Sequence, residues 1–136
     1  MSLANLLENN VLDAMLGVGA TLLDTVLEIG LSLTMPDDDG TNITEPSGGG
    51  YARVSVDNNN VNWGDAVYGT KTNATDIIFP EATENWGTLL YWVLYSMGTP
   101  SIIGTIDDGA GVPTPLVVVT GNKIRFTPGS LRIMLD

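Results

Sequence analysis

The sequence predicts a mainly β chain: an antiparallel β-sandwich (jelly-roll or Ig-like) of about eight short strands, with one N-terminal amphipathic helix. Three observations carry this. Short apolar runs recur between Gly, Pro and Asn turns at a spacing typical of sandwiches and barrels. A helical period occurs with clarity in one place, at the N-terminus. No helical pattern separates the later strands, which argues against parallel βαβ units. With 136 residues the chain suits a single unit. Residues 1–18 supply the helix and 19–136 the sandwich.

The elements follow in order. Leu3, Leu6, Leu7, Val11, Ala14 and Met15 recur at helical spacing and predict a helix over 3–16. Ser2 is placed to cap its start, and Gly17 with Gly19 to end it. From Val26 the period becomes two: Leu27, Ile29, Leu31 and Leu33 share one side, and Glu28, Gly30, Ser32 and Thr34 the other. "ATLLDTV" before it fits a helical turn as well as a strand. "MPDDDGTNITEPSGGG" reads as a long polar loop. A strand then alternates Tyr51, Arg53 and Ser55 with Ala52, Val54 and Val56. Residues 57–76 form a second polar connection, with Trp63 and Tyr68 expected to pin it. "DIIFP", "WGTLLYWVLYSM", "SIIGTI", "TPLVVVT", "NKIRFT" and "SLRIMLD" complete the strands. The expected core draws on Leu27, Ile29, Leu31, Val54, Val56, Ile78, Leu90, Trp92, Leu94, Val118, Ile124, Phe126, Leu131 and Ile133.

Composition narrows the chemistry. The formal net charge is −11, and Arg53, Lys71, Lys123, Arg125 and Arg132 are the five cations. A direct nucleic-acid contact needs a basic patch, which five scattered cations do not supply. An anionic membrane surface is disfavoured for the same reason. The chain has no cysteine and no histidine. That removes the usual ligands of zinc, haem and iron–sulfur centres and the base of Ser–His and Cys–His mechanisms. We expect no cofactor and no enzyme. The N-terminal residues do not read as a signal peptide, and no apolar run reaches the roughly 20 residues that span a bilayer.

Several candidate sites remain. Gly48, Gly49 and Gly50 suggest a phosphate loop, but no Lys-Ser/Thr pair and no helix follow, so a turn into a strand is expected. Asp37, Asp38, Asp39, Asn42 and Glu45 could offer oxygens to Ca²⁺, with Asp37, Asp39 and Asn42 the weak candidates; a solvated acidic turn is the expectation. Glu81 with Glu84, and Asp107 with Asp108, are the paired carboxylates a glycosidase would need. Trp63, Trp86, Tyr91, Trp92 and Tyr95 could form a sugar platform or fill a core. The stripe Leu3, Leu6, Leu7, Val11 and Met15 must be covered, either by its own sandwich or by a neighbouring subunit. Each Leu-sized side chain buried there is worth about 1.5–3 kcal/mol.

Five stretches, "SLANLLENNVLDAMLG" (2–17), "DDDGTNITEPSGGGYARVSV" (37–56), "NNNVNW" (58–63), "IIFPEATENWGT" (77–88) and "FTPGSLRIMLD" (126–136), occur in an order and spacing that resembles a family of small tailed-bacteriophage virion structural proteins. Its members are labelled tail fibre or head decoration proteins. Between Leu89 and Thr120 the match weakens, and "YSMGTPS" stands where the family tends to have an Asp-Ala-x-x-Gly-Gly turn. The resemblance implies a capsid decoration (cement) protein bridging capsid subunits, or alternatively a tail, neck or fibre-base module with receptor or glycan binding. It implies a virion location, the capsid surface ahead of the tail, after synthesis in the host cytoplasm. The expected partners are the chain itself, as a trimer, and the major capsid protein or other virion proteins. Interface candidates are Leu3, Leu6, Leu7, Val11, Met15, Gly48, Gly49, Gly50, Tyr51 and Arg53. The family brings no catalytic residue to carry over.

Overall fold

The computed structural model describes residues 5–17 and 23–135, and within the first of these the side chains of residues 9 and 11–17. The fold is mainly β, with ten short strands in antiparallel, sandwich-like sheets that do not close into a barrel. Helix α1 (Asn5–Met15) is followed by β1 (Val26–Ser32), β2 (Val54–Asp57), β3 (Thr70–Thr72), β4 (Ile77–Ile78) and β5 (Gly87–Leu89). Then come β6 (Tyr91–Ser96), β7 (Thr99–Thr105), β8 (Leu116–Val118), β9 (Arg125–Phe126) and β10 (Arg132–Met134). Ser2, Leu3, Gly19 and the first three residues of "ATLLDTV" lie outside the described residues.

One four-stranded sheet has the order β2-β1-β6-β7, and three two-stranded ladders pair β3 with β10, β4 with β9 and β5 with β8. The period-two reading places the sheet's inner face. Leu27, Ile29 and Leu31 are fully buried, and Ile29 and Leu31 stand opposite Leu94 and Trp92. The ladders contribute Ile77, Leu89, Val118, Phe126 and Ile133 to the same apolar cluster. That joint core is what holds such short ladders in place, since an isolated pair of strands is marginal in water.

Three details depart from the sequence reading. "WGTLLYWVLYSM" is two strands, not one. Leu90 donates its N–H to the Ser32 carbonyl (3.2 Å) and accepts from the Ile106 N–H (2.9 Å), which transfers the chain from the β8 ladder to the large sheet. Leu90 is consequently half-buried and Leu89 takes its place in the core. Likewise Ile77 is buried and Ile78 exposed; two adjacent isoleucines give no alternation from which to read the phase. Finally, the connection 57–76 contains a strand. Val67 and Thr70 exchange both backbone hydrogen bonds around Tyr68 and Gly69, whose φ angles are 51° and 71°. This is the two-residue mirror-image turn of β-hairpins, normally made by Asn-Gly. Trp63 is fully buried as expected, but Tyr68 sits at the hairpin tip, 81% exposed.

Helix α1 packs on its own sandwich through Leu12 and Leu16. Leu12 and Leu16 are fully buried, whereas Val11, Ala14 and Met15 are half-buried. One turn back, Asn9 accepts a hydrogen bond from the Gly69 N–H (2.8 Å) through its side-chain oxygen. Asp13 accepts from the Ala66 N–H (3.1 Å) and from Lys71 (2.6 Å). Two polar residues thus fasten the helix. Gly17, at φ 101°, ends it in the left-handed conformation glycine favours. Asn58 completes that end: its side-chain oxygen accepts from the Gly17 N–H (2.7 Å), and its amide donates to the carbonyls of Met15 and Asp24.

Candidate functional site

The three glycines form a left-handed turn, with φ of 73°, 62° and 78° at Gly48, Gly49 and Gly50. The turn faces its own chain. The Gly49 carbonyl accepts from the Thr83 N–H (2.9 Å) and from the Trp86 indole N–H (2.8 Å). A Cβ on Gly49 would stand 3.1 Å from that indole, and one on Gly50 3.0 Å from the Glu81 carbonyl oxygen. Gly48 alone of the three is open. The run works as a turn packed against residues 81–86 of its own chain and leading into Tyr51.

What it delivers is Tyr51. The ring lies edge-on to Trp86 (5.3 Å between centroids) and near-parallel to Phe79 (6.3 Å). Its hydroxyl accepts from the Leu31 N–H (2.9 Å) and donates to Glu45 (2.7 Å). Strand β2 pairs with β1 as far as Ile29, so the hydroxyl takes over the edge of β1 where the ladder stops. Arg53 grips Glu45 with two nitrogens (2.9 and 3.0 Å), reaches Glu28 at 3.5 Å, and lies 3.5 Å above the Tyr95 ring. Gly30 is the floor of this cluster: a Cβ there would come within 2.7 Å of the Glu45 carboxylate. Arg53 and Tyr51 are thus committed to internal contacts, each leaving part of its surface exposed.

The titration of the cluster follows from its geometry. Burial would raise the Glu45 carboxyl. Hydrogen bonds from Arg53 and Tyr51, with the Arg53 charge, outweigh it and hold Glu45 below the ordinary glutamate range. Asp13 and Asp107 behave alike: burial pushes up, but Lys71 and the Ala66 N–H, or Arg132 and the Gly109 N–H, pull further down. A carboxyl with a depressed folded value stabilises the fold above its unfolded value near 4 and loses that contribution as pH falls through the folded one. Burial first, then the Glu45 bond, pushes the Tyr51 phenol up, so stability falls as pH rises past about 10, where the unfolded tyrosine ionises. With no histidine, no side chain of ordinary value titrates between. Thermal melts from pH 2 to 11 should show a plateau with two falling limbs. Glu45→Gln should lower the plateau and flatten the acid limb; a mutant curve parallel to the parent down to pH 2 would refute this account.

The other sequence candidates separate. Asp39 accepts from the Thr41 N–H and hydroxyl, Asp37 accepts from the same hydroxyl at 3.4 Å, and the Asn42 amide donates to the Met35 carbonyl. They form an exposed turn held by its own hydrogen bonds, and among the described residues no group of three or more acidic side chains is placed to hold a metal ion. Glu81 and Glu84 are exposed. Asp107 is bound to Arg132 at 2.7 Å. Trp63, Trp86, Trp92 and Tyr95 are buried and Tyr91 half-buried, so the aromatics serve the interior rather than a sugar platform. Of the apolar interface candidates, Val11 and Met15 are half-buried on α1; Leu3 and the side chains of Leu6 and Leu7 lie outside what is described.

A surface feature had no sequence signal. β8 pairs with β5 and β9 with β4, although the two are joined by only a short turn. They splay, and a groove of about 360 Å³ opens between them, lined by Leu116, Val117, Ile124, Lys123 and Arg125. It adjoins a smaller cavity of about 150 Å³ that shares Leu116 and Arg125 and reaches Trp92, Phe126 and Asp107. Alternation along β8 leaves Val117 and Val119 outward, 67% and 44% exposed.

Short antiparallel ladders around one core, with four cations paired to carboxylates and an open groove at a ladder's edge, make up a β module. The chain belongs to the family described as Podophage GP4 fiber I protein gp80, whose model matches residues 2–134. No curated protein matches it. The family makes it a bacteriophage virion structural protein of the fibre type, and so favours the tail, neck or fibre-base expectation over capsid decoration. Among the described residues, no helix is long and apolar enough to cross a membrane.

Proposed function

We propose that the chain is a non-catalytic building module of a podophage tail fibre, at the tail, neck or fibre base, working as a homo-oligomer whose expected form is a trimer. The observation that carries this reading is the match to a fibre family over residues 2–134. The chemistry supports it. Asp107 is held by Arg132, and the tryptophans are interior. Those are groups that an Asp107–Asp108 carboxylate pair or a tryptophan sugar platform would need free. A fibre module needs a stable fold repeated in register, and repetition lets modest contacts add.

Gold-labelled antibody against the purified chain should decorate the tail or its fibres on intact particles. Labelling spread over the head would overturn the fibre reading in favour of capsid decoration.

A further inference from the structure

We propose that the groove between β8 and β9 docks a second copy of this chain, and that the copy's acidic turn at Asp37–Asp39 is the part that enters. The inference rests on the fibre reading, in which the module is present in many copies.

The groove is an unusual surface for this molecule. Consecutive strands ordinarily lie side by side; these two pair with other partners, and an apolar trough lies between them. Val117, which lines it, is 67% exposed. Charge marks it further. Arg53, Lys71, Arg125 and Arg132 each bind a carboxylate within 3 Å, on Glu45, Asp13, Asp76 and Asp107. Lys123, in the groove, makes no ion pair among the described residues. In a chain of net charge −11, this is the place where a carboxylate meets attraction instead of repulsion.

The complementary surface is on the same chain. Asp37, Asp38 and Asp39 are all exposed and form the longest run of consecutive acids in the sequence. The turn is braced before any partner arrives: the Asp37 N–H donates to the Thr41 carbonyl (2.9 Å) and the Gly40 N–H to the Asp37 carbonyl (2.9 Å). Such preorganisation lowers the entropy lost on docking. Met35, 67% exposed, stands beside the acids with its carbonyl held by Asn42. An apolar side chain next to carboxylates matches an apolar trough next to an ammonium group. Groove and turn are different surfaces, so a single groove-to-turn contact is heterologous and, repeated from copy to copy, builds a ring or a filament.

The test uses the full chain. Unlabelled and ¹⁵N-labelled protein are mixed, treated with a zero-length carbodiimide and digested. Mixed-isotope peptides joining Lys123 to Asp37, Asp38 or Asp39 are expected. Lys123→Glu, at an exposed position, should weaken self-association about tenfold in sedimentation. Mixing it with a triple Asp37→Lys, Asp38→Lys, Asp39→Lys variant should restore association between the two. Self-association with Lys123 joined elsewhere, or unaffected by these variants, overturns the docking inference and leaves the fibre reading standing. A chain that stays monomeric at every concentration overturns it too, while gold labelling judges the fibre reading separately.

Discussion

Gly104→Ala should destabilise the domain by about 3 kcal/mol, the upper end for an overpacked interior. The position sits on β7 opposite Trp92, and the buried indole lies directly on it. A Cβ there would be 2.1 Å from Cε2 and 2.3 Å from Nε1 of the ring. No backbone strain is involved; the clash is with a rigid aromatic side chain that is only 2% exposed. A chain of this length loses roughly 3–5 °C per kcal/mol, so the melting temperature should drop by on the order of 10 °C. Trp92→Leu in the Gly104→Ala background should recover part of the loss relative to the sum of the two single changes, because the contact is removed. A fall in melting temperature below about 3 °C, or strict additivity of the two changes, would show that the indole is free to move aside.

Asp13→Ala should cost about 3 kcal/mol, while Lys71→Met should cost less than about 1.5 kcal/mol. The two substitutions break one ion pair from opposite ends. Lys71 is 2% exposed and Asp13 38%. Removing the aspartate leaves an ammonium group enclosed beneath α1 without its charge partner, and also strips the Ala66 N–H of its acceptor. Removing the ammonium leaves a carboxylate that water reaches and that still accepts from Ala66, and methionine keeps most of the volume. The asymmetry is the test. Equal losses in urea unfolding would mean that Lys71 finds water or another acceptor when Asp13 is gone.

These two predictions show where sequence reading stopped. The β character, the helix and the turn-bounded runs were legible because local periodicity reports them. Leu27, Ile29 and Leu31 on one face are the clearest case. The face of the helix was not. Its polar residues Asn9 and Asp13 bond to Gly69, Ala66 and Lys71, more than fifty residues away, and a helical wheel treats such residues as outward. β3 escaped because its hairpin turns on Tyr68-Gly69 instead of Asn-Gly. For the site, "EPSGGGYARVSV" drew attention as a surface, and the structure shows it gripping its own sheet through Tyr51, Arg53 and Glu45. The β8–β9 groove was invisible because it arises from which strands do not pair, a property of topology that no short stretch of residues records.

The ladder between β3 and β10 has a consequence for synthesis. α1 fastens onto β3 and the hairpin before it, through Lys71 and Gly69. β3 in turn is completed by β10, with Lys71 opposite Ile133. α1, which precedes both strands in the chain, therefore waits for β10 before its seat exists. Contacts so distant along the chain form slowly, and until they do, Leu12 and Leu16 stay uncovered. A nascent chain or a truncated product would present that apolar helix to chaperones and proteases, whereas a finished one would hide it. Assembly would then draw on finished chains, sorted by the same fold that gives the module its shape.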